Sequence, residues 1–283
     1  MSGFHRKKLF PNNDNLITMT STITKIYTLE IPQLHIEGTG QPVLWMHGML
    51  NSVESDSLYS MVDFKQLAKQ VKLIRYNACD KAVNGDYSWN GLVEECKSII
   101  DSLNEEKVVL GGMSMGSGTA LYTAIRYPEK VKALILVTPP PAWEVRVATQ
   151  AIYEKIAQKA QPDHIPNFLL RIIQRNQDPP DFFESRYPGT RKKLLDYRLS
   201  FDPAYYYSIY HGGAISDFPT REELTQMNIP TLIVGDPNDI GHPIEVAREM
   251  NELISTSKLV EIRNIEDYDK LQEIVSEFLS SIP

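Results

Sequence analysis

Val108-Val109-Leu110-Gly111-Gly112-Met113-Ser114-Met115-Gly116-Ser117-Gly118 is the stretch on which the fold turns. An apolar, β-branched run, the pattern of a strand buried on both faces, leads directly into Gly-x-Ser-x-Gly. Apolar residues at three- and four-residue spacing follow over 115–127, as in a core-facing helix. So sharp a turn from strand into helix crowds the side chains two residues either side of its apex, and Gly112 and Gly116 relieve that crowding. Ser114 then stands above the carboxyl end of a strand and at the start of a helix, where unpaired amides and the helix dipole favour developing negative charge. Ser114 is therefore a candidate nucleophile. The plainer alternative, glycines that merely allow close helix packing beside an inert serine, fits the flanking strand and helix less well.

Outward from this turn, short apolar runs alternate with helical-period segments, the mark of a mainly parallel sheet flanked by helices. Strands are expected at 23–31 and 34–37 as an opening antiparallel pair, then at 42–46, 71–76, 108–112, 133–138, 231–235 and 258–263. The fold class is thus α/β, with a mostly parallel eight-stranded sheet. Core-facing helices are expected at 60–70, 90–103, 115–127, 244–254 and 269–279. The rhythm breaks over 139–218, which reads as helices at 144–160, 166–177, 181–187, 192–196 and 203–210, broken by Pro162, Pro166, Pro179, Pro180 and Pro188. The expected division is an N-terminal tail at 1–20, a core at 21–138 and 219–283, and a helical cap at 139–218.

The bulk properties narrow the function classes. With 42% hydrophobic and 23% charged residues, the 283-residue chain has the balance of a globular protein with a sizeable core. A net charge of −7 offers no field for phosphate backbones or anionic lipid, and Arg6-Lys7-Lys8 and Arg191-Lys192-Lys193 read as solvated faces. No nucleic-acid or membrane partner is expected. Cys79 and Cys96 are too few for a disulfide framework, which fits a reduced, cytoplasmic setting. The first twenty residues, with Pro11-Asn12-Asn13-Asp14-Asn15, lack the apolar core of a secretory signal and read as a poorly ordered tail. Phosphate loops, metal-ligand spacings and cofactor-lysine motifs are missing, so no cofactor and no metal are expected.

Two further motifs agree with the serine turn. Val43-Leu44-Trp45-Met46-His47-Gly48-Met49 ends a strand in His-Gly, and Arg126-Tyr127-Pro128-Glu129-Lys130-Val131 forms a turn after the helix. With Gly112 to Gly116 and the Asp239 loop, they make the chain resemble, from about 21 to 282, the α/β-hydrolase fold with a helical cap, in the esterase, lactonase and haloperoxidase group. The resemblance implies an oxyanion hole from the amides of Met49 and Met115. It also implies a small uncharged ester, thioester or lactone as substrate. At one rim the chain departs from the pattern: Asn77-Ala78-Cys79-Asp80-Lys81 stands where such proteins often carry Asp-x-Arg-Gly-x-Gly. Cys79 there reads as a passive thiol.

The family order is serine, then acid, then histidine after the last strand. The acid has two candidates in Gly235-Asp236-Pro237-Asn238-Asp239-Ile240-Gly241-His242-Pro243. Asp239 is favoured by its distance from the strand and from the proline that opens the next helix; Asp236 suits the Asp-Pro turn. The base is the difficulty, because Arg263-Asn264-Ile265-Glu266-Asp267-Tyr268-Asp269 stands where the family shows Gly-His, and no histidine follows His242. A serine hydroxyl without a base is a poor nucleophile. His242 could turn toward Ser114 with Asp239 orienting it, or remain an N-capping histidine. His211, in Tyr210-His211-Gly212-Gly213-Ala214, or His164 could instead project from the cap. Otherwise hydrolysis has been lost and a small-molecule pocket kept, with Glu266 or Asp267 serving structure alone.

The remaining candidates would touch substrate: His47, Trp143 and His211. His47 is the weaker base candidate, since a histidine at this strand end tends to brace its loop. Pro139-Pro140-Pro141-Ala142-Trp143 at the cap entrance and Tyr205-Tyr206-Tyr207 with Tyr210 at its exit supply rings for an aromatic pocket or for packing between cap and core.

Overall fold

The structure, a computed structural model, describes residues 31–82, 84–160, 167, 170–171 and 179–282. The expected tail at 1–20, nearly all of the strand at 23–31 and of the helix at 166–177, and His164 lie outside these residues.

Seven described strands form one sheet: β1 Leu34–Glu37, β2 Pro42–Met46, β3 Lys72–Tyr76, β4 Val108–Met113, β5 Val131–Val137, β6 Thr231–Gly235 and β7 Ser257–Glu261. Their order is β1-β3-β2-β4-β5-β6-β7. Only β1 runs antiparallel, pairing Leu34 with Tyr76 of β3. Every other pairing is parallel, so the carboxyl ends of β2 to β7 share one edge.

Strand alternation sorts side chains into two cores, one on each face. Leu44, Met46, Ile74 and Leu110 enter the core with helices α3 Trp89–Ser102, α4 Met115–Arg126 and α10 Ile244–Leu253, through Leu92, Leu121 and Met250. Val43, Trp45, Leu73 and Val109 enter the other, with α2 Phe64–Leu67 and α11 Ile265–Ser281, through Leu67, Leu271 and Val275. Both faces are therefore covered, which is why the central strands are apolar throughout.

Among the differences from the sequence pattern, three have a clear local cause. The helix expected at 60–70 shrinks to α2, capped by Asp63 Oδ1, which accepts from Lys65 N at 2.9 Å. Its exit tightens through Lys69 N–H to Gln66 O at 3.1 Å and Gln70 N–H to Leu67 O at 3.0 Å, delivering buried Val71 to β3. A one-turn helix, α1 Val53–Asp56, was not expected: Ser52 and Ser55 form its capping box in place of the usual glutamate or glutamine partner. The last helix begins at Ile265 rather than 269, because Asn264 caps it by accepting from Asp267 N at 2.9 Å.

Between β5 and β6 the described residues form α5 Trp143–Lys159, α6 Asp181–Arg186, α7 Thr190–Leu199 and α8 Pro203–Ala214, and α9 Arg221–Thr225 leads back to the sheet. Tyr153 on α5 meets Tyr210 on α8 edge to face at 5.3 Å. Arg198 Nη2 donates to Asn51 Oδ1 at 3.0 Å, and Tyr197 hydrogen-bonds Ser52. Both contacts tie α7 to the chain just beyond β2, at the carboxyl edge.

Candidate active site

Ser114 joins β4 to α4 with φ 53° and ψ −114°. That left-handed conformation costs a non-glycine residue roughly 1–3 kcal/mol and persists only where its surroundings over-determine it. Here the Ser114 N–H donates to Val137 O at 3.0 Å, while its carbonyl accepts from Ser117 Oγ at 2.8 Å and Gly118 N at 3.0 Å. The flanking glycines are sterically required. A Cβ on Gly112 would lie 2.4 Å from the Gly116 carbonyl carbon, and one on Gly116 would lie 2.0 Å from Met46 O. The elbow thus presses α4 onto the end of β2 and fixes the Ser114 hydroxyl above the sheet edge.

The loop after β6 supplies the partners. It opens with Asp236, whose Oδ1 accepts from Asn238 N at 2.8 Å and whose carbonyl accepts from Asp239 N at 3.1 Å. Asp239 Oδ1 then accepts from the amides of Gly241 at 2.8 Å and His242 at 3.2 Å, curling the loop around the carboxylate. Its second oxygen, Oδ2, meets His242 Nδ1 at 2.7 Å. His242 Nε2 meets Ser114 Oγ at 2.7 Å. Since the carboxylate can only accept, the proton between them sits on Nδ1, and in the neutral ring that leaves Nε2 as the acceptor for the Ser114 hydroxyl. Burial pushes the Asp239 carboxyl up, but the His242 hydrogen bond and the loop amides outweigh it and hold the group below the usual carboxylate range.

Met49, Ser114 and Met115 line one cavity with Tyr87, Trp89, Pro140, Arg146, Tyr153, Ile209, Gly213 and Ser216. Neither the Met49 nor the Met115 amide donates to a backbone carbonyl among the described residues. Met49 occupies a turn closed by Asn51 N–H to Gly48 O at 3.1 Å, and Met115 is the first residue of α4. The cavity, about 20 Å³, holds about one water molecule. A larger cleft of about 920 Å³, lined by Gln41, Glu105, Lys107 and Pro230, lies at the amino ends of the strands. In open α/β sheets ligands sit beyond the carboxyl ends, where Ser114 is.

Three residues expected to touch substrate do not line the cavity. His47 is buried with both ring nitrogens engaged: Nδ1 donates to Gly48 O at 2.8 Å, and Nε2 accepts from Ala78 N at 3.0 Å. Burial lowers its pKa to about 4, so the neutral ring braces the loop. The Trp143 indole donates to Pro219 O at 3.0 Å and packs against Phe218, joining the two ends of the helical segment. His211 stacks on Tyr207, with ring centroids 5.5 Å apart. Cys79 is only partly exposed, its thiol pushed up by burial and its Sγ 3.5 Å from Asp86 O. Arg146, by contrast, lines the cavity although its sequence context singles out nothing. At 146 it reads as one more charged position on an amphipathic helix.

A family model described as alpha/beta hydrolase fold matches residues 79–273, and the chain belongs to that family. The AB hydrolase superfamily protein YisY of Bacillus subtilis (strain 168) is 27% identical over 277 residues, covering 90% of this chain and 98% of the relative. Among solved structures, a thermophilic esterase from Thermogutta terrifontis is similar with a TM-score of 0.73 at 20% identity, over 88% of this chain and 93% of its own. A meta-cleavage product hydrolase from Pseudomonas fluorescens IP01 is similar with a TM-score of 0.71 at 21% identity, over 89% of this chain and 95% of its own. At these identities the structural likeness speaks for the fold. Among the described residues no helix is long and apolar enough to cross a membrane.

Proposed function

We propose that the chain is a serine hydrolase of a small ester, thioester or lactone, with Ser114 as nucleophile, His242 as base and Asp239 as the acid that orients it. The observation that carries this reading is the unbroken line from Asp239 Oδ2 through His242 to Ser114 Oγ, two contacts of 2.7 Å each. Family membership supports the reaction class, and relatives named as an esterase and a meta-cleavage product hydrolase share the fold.

In this reading Ser114 Oγ attacks the acyl carbon while its proton passes to His242 Nε2 and the carbonyl π pair moves onto oxygen. The Met49 and Met115 amides donate to that oxyanion, already oriented before charge develops. Asp239 stabilises the imidazolium and keeps its Nδ1 proton in place. Collapse breaks the bond to the leaving oxygen or sulfur, which departs with the proton from Nε2. Water then attacks the acyl-enzyme, giving its proton to Nε2, and Ser114 leaves with that proton as the acid is released. The division into a core at 21–138 and 219–283 and a cap at 139–218 belongs to the same reading. Tyr153 and Ile209 from the cap help close a cavity with room for about one water, so substrate enters by displacement of the cap.

Hydrolysis of p-nitrophenyl acetate and butyrate by the wild type and by Ser114→Ala tests the proposal. Turnover that Ser114→Ala abolishes is expected. Equal rates for the two proteins would leave a small-molecule binding pocket in place of an enzyme.

A further inference from the structure

Arg146 is 2% exposed, yet it lines the cavity that holds Ser114. Its guanidinium reaches across from α5 to the end of α8. Nε donates to Ser216 O at 3.0 Å, and Nη2 donates to Gly213 O at 2.6 Å and to Ser216 O at 2.8 Å. These acceptors are neutral carbonyls. Nη1, with two N–H groups, donates to no atom among the described residues. No carboxylate among them lies within ion-pair distance of Arg146, although thirteen such pairs form elsewhere in the described chain. Asp217 acts on Arg146 through space, but Asp217 is exposed and its Oδ1 accepts from Phe218 N at 2.8 Å.

The rest of the lining sharpens the contrast. Met49, Tyr87, Trp89, Met115, Pro140, Tyr153 and Ile209 are apolar or aromatic, and Arg146 lies over the Trp89 and Tyr153 rings at 5.8 and 5.9 Å. A buried cation in such walls is costly unless paired. Carbonyls at the end of α8 offset part of that cost through their partial negative charge. They leave the formal charge and the Nη1 donors without a counterpart. A clamp between two helices needs donors and no charge; a ligand-reading group needs both.

We infer that Arg146 receives a carboxylate of the substrate, so that the preferred substrate is an ester, thioester or lactone bearing a carboxylate in the same molecule. The inference rests on the hydrolase reading and replaces the uncharged substrate expected from family resemblance. It follows from the one charged group in the described lining, its unpaired Nη1 and the low polarity around it. A charge-assisted pair there would discriminate strongly against an isosteric neutral acyl chain.

The test compares mono-p-nitrophenyl glutarate with p-nitrophenyl pentanoate, which have acyl chains of equal carbon number. The wild type is expected to favour the glutarate ester in kcat/KM. Arg146→Gln should lower the ratio of the two values by roughly 10–100-fold, mainly through KM for the glutarate ester. Arg146→Lys, which keeps the charge without the planar fork, should keep part of the preference. An equal fall on both esters would make Arg146 a structural clamp and overturn the inference. Calorimetric titration of Ser114→Ala with glutarate separates this claim from catalysis. Binding that Arg146→Gln removes from the Ser114→Ala protein supports the carboxylate site even where the wild type hydrolyses neither ester, an outcome that sinks the hydrolase reading alone. Wild-type hydrolysis without ester preference, and no glutarate binding, sinks the carboxylate site alone. Should Arg146→Gln fail to fold, Arg146→Lys gives the same ratio, and an unaltered preference there would count against the planar fork as its source.

Discussion

The loops after β6 and β7 leave the same edge of the same sheet as neighbours, and their polar groups point to different ends. After β6, Asp236–Pro243 forms an open loop in which Asp239 gathers the amides of Gly241 and His242 and turns the imidazole onto Ser114. After β7 only Ile262, Arg263 and Asn264 intervene before α11. Ile262 N–H donates to Gly235 O at 2.8 Å, Asn264 caps the helix, and Asp267 Oδ2 accepts from Arg263 N at 3.0 Å. The first bond continues the pairing with β6, and the other two start and steady α11. The second loop, where the family order would place a histidine, is built for helix initiation, and the first carries both acid and imidazole. A serine–histidine–acid line is set by where side chains meet, so chain order is free to change.

This contrast breaks most directly at His242. In His242→Ala, kcat/KM for a p-nitrophenyl ester should fall on the order of 10⁴–10⁶-fold, with a circular-dichroism melt close to that of the wild type. A loss under tenfold would detach the loop after β6 from catalysis. Asp239→Asn keeps an oxygen for the loop amides but removes the charge that steadies the imidazolium. Stopped-flow or steady-state rates on the same ester should fall about 10³–10⁴-fold.

A third loop on the same edge, held by His47, sharpens the comparison through pH. Its folded pKa of about 4 lies below the ordinary 6.5, so between those values the native state binds fewer protons than the unfolded chain. The stability that His47 contributes is complete above 6.5 and is lost as pH falls toward 4, by about 3 kcal/mol at about 1.4 kcal/mol per unit. Glu95, buried and raised to about 7, works in the opposite sense, its contribution being complete below 4.5 and lost as pH rises through 7. Urea melts of wild type and His47→Asn at pH 7 and pH 4.5 isolate the histidine by difference: the wild type should lose more stability on acidification than the variant does. The smallest effect belongs to the loop after β7. Asn264→Ala should cost about 1 kcal/mol in a urea melt through its lost cap, while ester turnover stays within twofold of wild type. A turnover loss larger than that would give the second loop a share in the chemistry.

What was legible in the chain follows from how local each cause is. The seven described strands match expected runs to within two residues at each end, because burial on both faces writes an apolar run into the sequence itself. The elbow was legible for the same reason: Gly112 and Gly116 answer a clash within a few residues of Ser114. The early start of α11 was hidden, since Ile265 and Glu266 suit a loop as well as a helix until Asn264 is known to cap them. The Asp239–His242 pairing was readable as a spacing of three on one loop. Its contact with Ser114, 128 positions away, was one of several open choices. Trp143 stands out in the sequence as a ring at the segment's entrance and His211 as a histidine that could project toward the serine, but both pack within or across that segment rather than at the cavity. Arg146 carried no local signal, because its meaning depends on two carbonyls about seventy residues further along.

The proposed activation of Ser114 by His242, from the loop after β6, is the step on which the other expected effects depend. Fluorophosphonate labelling followed by intact-protein mass spectrometry tests it with no assumption about substrate. One adduct per wild-type chain is expected, located on Ser114 and absent in Ser114→Ala, with the labelling rate lowered at least roughly 10²-fold in His242→Ala. Labelling of His242→Ala at the wild-type rate, or a wild type as inert as Ser114→Ala, would contradict it.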